Sequence, residues 1–200
     1  MRFNNLFKKR RHPNPAINDL YRHSGSIDKK IEKIVSDLPY LAEAVRQGGT
    51  SLLQKTLIDQ IKEYDSRTGR EISKNINEAK SEAMLEKLTG MMLLAFYEEC
   101  ATMFQDETMP SYLTTALHYE LYQSLPSDQG FVAYLTYQNP HFENPNMAPA
   151  HKFGNDIAEI VSVSDQLFYF IIAQQAAVIS DVTKKLIRWV LFDEPMEAPS

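Results

Sequence analysis

From Ile157 to Trp189 the apolar residues Ile157, Ile160, Phe168, Ile171, Val178, Val182, Leu186 and Trp189 stand three or four residues apart, or at sums of those steps. That spacing follows the 3.6-residue turn of a helix and not the two-residue alternation of a strand. It predicts one long C-terminal helix whose end carries Lys184, Lys185 and Arg188, complementing the helix dipole. The same period governs most of the chain. Ser26 can cap a helix with Ile27, Ile31, Ile34, Val35 and Leu38 on one face, and Pro39 suits the first turn of the next. Gly48-Gly49 reads as a stop, and Thr50 or Ser51 as the cap of a helix carrying Leu53, Leu57, Ile61 and Tyr64. Asp65 to Gly69 reads as a turn.

Downstream of Arg70, Ile72, Ile76, Ala79 and Ala83 keep the period, and from Leu88 to Phe96 the segment is apolar on nearly every side. Such a helix belongs at the centre of a bundle, with Gly90 as a break or a close crossing. A further helix is expected from Ser111 to Gln123. Residues 128–138 admit two readings: Phe131 to Tyr137 has strand composition, but no partner strand is visible, which favours a short helix. Gln138 to Ala150, rich in asparagine and proline, reads as a loop. The expectation is an all-α chain, a single bundle of six to eight helices over residues 26–193. Residues 1–25 form a basic N-terminal arm interrupted at Pro13 and Pro15, and residues 194–200 a loose tail.

Composition removes several classes. With 200 residues, 44% hydrophobic, 24% charged and one cysteine, the chain is neither disordered, nor a fibrous rod, nor a disulfide-built mini-domain. The net charge of −5 conceals an asymmetry. Residues 1–11 hold five basic residues and no acid, residues 12–90 hold twelve of each, and residues 91–200 hold four basic residues against fourteen acids. No Lys or Arg occurs between Lys87 and Lys152, an interval containing ten of the 21 aromatic residues. Charge segregation of this kind bears on partners rather than on fold.

No stretch has the roughly 20 apolar residues a membrane span needs, and the N-terminus lacks the apolar core of a secretory signal. A cytoplasmic protein, peripheral at the membrane through its arm, is expected.

Catalytic signatures are missing. No two of His12, His23, His118, His141 and His151 share helical ligand spacing, and no Glu-x-x-His occurs beside Glu98, Glu99 and Glu120. Neighbouring acids should leave Cys100 an inert thiol. There is no nucleophile elbow and no phosphate-cradling glycine loop, and no cofactor or metal is expected. The arm has a mechanism attached. As a helix it sets Phe3, Leu6 and Phe7 on one face, with Lys8, Lys9, Arg10 and Arg11 at its end. That pattern suits an anionic membrane surface or a protein dock, at about 1 kcal/mol per basic residue. Nucleic acid is not expected as a partner. Tyr97, Tyr112, Tyr119, Tyr122, Tyr134 and Tyr137 in the acidic half have the amphipathic character of interface residues. The expected function is a non-enzymatic helical adaptor or assembly subunit, including a chaperone-like role, binding protein partners through that half. The alternative is a small-ligand or metal-binding enzyme with an inter-helix pocket near His118, Glu120, His141 and His151.

Overall fold

The structure, a computed structural model, describes residues 12–24, 29–106, 108–126, 134 and 148–193. Among these the chain is all-α: α1 (Pro15–Ser24), α2 (Lys29–Leu52), α3 (Asp59–Thr68), α4 (Glu78–Met103), α5 (Met109–Tyr122), α6 (Ala148–Val161) and α7 (Gln166–Phe192). A six-residue π-helical segment, Leu53–Ile58, joins α2 to α3 without a break, so the described residues make six helical rods. The last helix is 27 residues long.

Pro39 and Gly48-Gly49, expected to divide helices, lie inside one rod running from residue 29 to residue 68, about 60 Å at 1.5 Å per residue. Pro39 is on the solvent side, where the lost backbone bond is reached by water, while Leu38, Leu41 and Ala42 are buried on the other face. The glycines serve a crossing. A β-carbon at Gly48 would stand 3.4 Å from Leu186 Cδ2, and one at Gly49 would stand 3.3 Å from Leu85 Cδ1. The rod ends at Gly69, whose φ of 69° is the left-handed conformation that closes a helix.

The segment expected as an arm is a bundle element over residues 15–24. Pro15 opens α1 instead of interrupting a helix, because the first helical position needs no amide donor. Asn14 organises that start. Its Oδ1 accepts from the Ala16 amide at 3.0 Å, and its Nδ2 donates to the Ala116 carbonyl and to Glu120 Oε1, both at 2.8 Å. Ala16, Ile17 and Leu20 are buried as α1 packs on α5.

The helix at the centre is α4, buried from Leu88 to Phe96 as its composition requires, and it runs unbroken through Gly90. The single C-terminal helix expected from residue 157 onward is instead a hairpin of α6 and α7. Ser162 takes a φ of 61°, while the Val163 amide donates to the Ala158 carbonyl at 2.9 Å and the Ser162 amide to that of Glu159 at 3.1 Å. These two bonds close α6 in a Schellman arrangement. Asp165 then caps α7, accepting from the Leu167 amide at 2.8 Å. The same carboxylate accepts from the Tyr64 hydroxyl at 2.6 Å and pairs with Arg70 at 3.1 Å, fastening the hairpin turn to α3. One hydrophobic cluster draws residues from all seven helices.

Candidate functional site

The longest helix, α7, has two apolar faces. Phe168, Ile172, Ala176, Ile179, Ile187 and Leu191 are buried on one side with Thr183. On the other side Leu167, Phe170, Val178, Val182 and Trp189 are 55, 53, 45, 38 and 48% exposed. They are five of the eight large hydrophobic side chains exposed among the described residues, so the exposure is concentrated on one element. At 100° per residue these five fall within a sector of roughly 120°, opposite the core face. Gln174, the half-buried Ile171 and Phe192, and the pair Lys185–Asp181, joined at 3.0 Å, complete the sector, with Arg188 at its edge. At the N-terminal end Phe170 meets the ring of Tyr169 edge-on at 5.5 Å, and Tyr169 stacks on His151. The Tyr169 hydroxyl and His151 Nδ1 share a hydrogen bond, and burial lowers the His151 pKa, which favours the neutral ring.

Val178, Val182 and Trp189 belong to the periodic series that predicts the helix, and they face outward. Steps alternating between three and four average 3.5 residues, and such a series drifts around a 3.6-residue helix by about 20° per heptad. That drift is small over α7; the series runs along the border between the two faces, with Phe168 at its inner edge and Val178 at its outer edge. The signal that finds the outer face is the surplus of apolar residues in α7, more than one face can hold.

The tyrosines of the acidic half do not form one exposed surface among the described residues. Tyr134 is buried, its hydroxyl donating to Asp156 Oδ2 at 3.2 Å, and burial pushes its pKa up. Tyr97, Tyr112 and Tyr119 are half-buried, with Tyr112 against the His23 ring at 5.1 Å. Tyr122 is exposed and lies against His118 at 4.7 Å. Tyr137 lies outside the described residues, as do all of Phe3, Leu6, Phe7, Lys8, Lys9, Arg10 and Arg11.

A cleft of about 750 Å³ opens between α2, α4 and the end of α5. Its apolar lining includes Val45, Leu85, Leu93 and Leu121, and its polar lining includes Glu86, Thr89 and His118. Arg46 closes one side, donating to the carbonyls of Glu120 at 2.6 Å and Leu121 at 3.3 Å in the last turn of α5. His118 is buried with Nδ1 3.0 Å from the Ser124 carbonyl, which fixes Nδ1 as the protonated nitrogen, and desolvation lowers its pKa. The other members of the expected histidine pocket do not join it. Glu120 is turned to Asn14, His151 is packed against α7, and His141 lies outside the described residues.

Glu98 and Glu99 are taken by Lys184 at 2.6 Å and Arg188 at 2.8 Å, and among the described residues no three metal-ligating side chains converge. The Cys100 thiol is fully buried, and that burial, with Glu99 beside it, raises its pKa far out of the reactive range. No helix among the described residues is long and apolar enough to cross a membrane.

No family model, no curated protein and no solved structure matches this chain.

Proposed function

We propose that this chain is a non-catalytic helical adaptor or assembly subunit, and that it receives its protein partner on the outer face of α7. The observation carrying this reading is the row of half-exposed Leu167, Phe170, Val178, Val182 and Trp189 on a rigid, well-anchored helix. Aromatic and aliphatic side chains held at fixed spacing are the anchors of helix-to-helix recognition. Each is already half-buried, so covering the rest contributes about 1 kcal/mol per residue. Five such contributions only match the lower range of the 4–15 kcal/mol lost on association. The docking is therefore reversible and draws on the polar rim of Gln174, Asp181 and Lys185 as well. The basic residues 1–11 supply a second contact, to an anionic membrane surface or to a larger complex. The pocket-enzyme reading has less support, because His118, Glu120 and His151 have separate surroundings.

A photo-reactive side chain introduced at Val178, with Lys62 on exposed α3 as the control position, tests the reading inside cells. A discrete protein adduct is expected from position 178 and not from position 62. The same adduct pattern at both positions would overturn the proposal.

A further inference from the structure

Resting on that reading, we infer that the partner seated on the outer face of α7 is a second copy of this chain, its α7 lying antiparallel across a twofold axis between Val178 and Val182. The order of anchors supports this choice of occupant. Phe170, Val178, Val182 and Trp189 are separated by eight, four and seven residues, a spacing that reads almost the same in either direction. Laying two copies antiparallel therefore brings Val178 onto the other copy's Val182 and Phe170 onto its Trp189. An isologous interface needs this self-complementarity, and an unrelated partner does not.

Charge permits the pairing despite a net −5 on each chain. The sector's one acid, Asp181, is paired with Lys185 at 3.0 Å, Arg188 at its edge is held by Glu99 at 2.8 Å, and Gln174 is neutral. Antiparallel helices also align their dipoles favourably. Half-exposed side chains of these sizes offer on the order of 400 Å² per copy, and the flanking residues bring the pair towards the lower end of specific interfaces, about 1,200 Å² in total. The dimer is thus a concentration-dependent one, in the micromolar class.

Purified full-length chain tests this in two ways. Sedimentation at about 100 µM should give a dimer, and Val178→Asp with Val182→Asp should weaken it at least about 100-fold. Both residues are exposed, so a thermal melt of the double variant that matches the wild type at high dilution, where both are monomers, separates lost pairing from lost folding. Cross-linking with a short bismaleimide then reads the direction of pairing. Gln174→Cys mixed with Lys185→Cys should cross-link, while either variant alone should not, because the like positions lie more than about 15 Å apart along the axis. Cys100 is buried and does not compete. Cross-links within the Gln174→Cys variant alone would overturn the antiparallel pairing. A cross-link that forms only once residues 1–11 are deleted would make that segment the occupant and overturn the inference. A monomer at all concentrations would also overturn it. A photo-adduct at position 178 heavier than the chain but not twice its mass would then leave the adaptor reading standing, whereas no adduct there removes both.

Discussion

Asp65 joins two helices through one buried carboxylate. Its Oδ1 accepts from the Ile72 amide at 2.9 Å and its Oδ2 from the Ser73 amide at 2.7 Å, so the chain leaving α3 is held by its own last turn. Burial by itself raises the pKa of such a group. Here the hydrogen bonds from Ser73 and Ile72 and the charge of Lys74 outweigh burial and hold the carboxyl below its ordinary value. A carboxylate depressed in the folded state contributes stability above its unfolded pKa of about 3.9, and loses that contribution as pH falls through the lower folded value. Asp65→Asn should therefore cost about 1–3 kcal/mol at pH 7, since one amide loses its acceptor in a buried site. The difference from the wild type should shrink below about pH 4. Urea titrations of both proteins at pH 7 and pH 3 check this, and an equal difference at the two values would refute the ionised role.

At the scale of elements, glycines decide how closely the helices approach. Within α2, Gly48 has room for a methyl group, its nearest neighbours being the flexible tips of Leu186 at 3.4 Å and Met92 at 3.6 Å. At Gly154 in α6 a β-carbon would meet the Tyr169 carbonyl oxygen at 3.0 Å and Ala173 Cβ at 3.1 Å, and neither can swing away. The same substitution thus has opposite signs. Gly48→Ala should stabilise by about 0.5–1 kcal/mol through lost backbone freedom in the unfolded chain. Gly154→Ala should destabilise by about 1–3 kcal/mol by prising α6 from α7. Thermal melts of the two variants should move in opposite directions by a few degrees. These residues also mark what the sequence could reveal. Apolar period and the all-round apolar stretch of α4 disclosed the helical class and its centre. Pro39, Gly48 and Gly49 were legible as local stops but not as members of a continuous rod, because burial against α4 and α7 overrides weak local preference. The break at Ser162 was hidden because α6 and α7 face one core, so their apolar steps stay in register across the turn.

Across the whole molecule, the charge asymmetry acquires a structural meaning. All four basic residues of the acidic half are engaged by carboxylates: Lys152 by Asp156, Lys184 by Glu98, Lys185 by Asp181 and Arg188 by Glu99. Two of these pairs cross from α7 to α4, and of those two only the Glu99 pair has a partner buried enough to matter to stability. Among the described residues, Asp165 is held by Tyr64 and Arg70 and Glu120 by Asn14, while the apolar stripe of α7 was visible in the sequence only as an excess of hydrophobic residues. Cohesion therefore rests on the shared core, at whose centre Cys100 on α4 is fully buried beside the Glu99 pair. Its thiol can react only when that core opens. Labelling by a disulfide reagent should be slowed by at least about 10³-fold relative to the unfolded chain, the factor expected of a core position in a domain of ordinary stability. That protection should fall with urea along the global unfolding curve. Reaction at the unfolded rate in native buffer would mean that α4 and α7 part without the rest of the bundle. Because pairing through α7 binds only the folded state, a self-associating chain should also show protection that grows with protein concentration. In Val178→Asp with Val182→Asp that dependence should vanish, while the protection seen at high dilution stays unchanged.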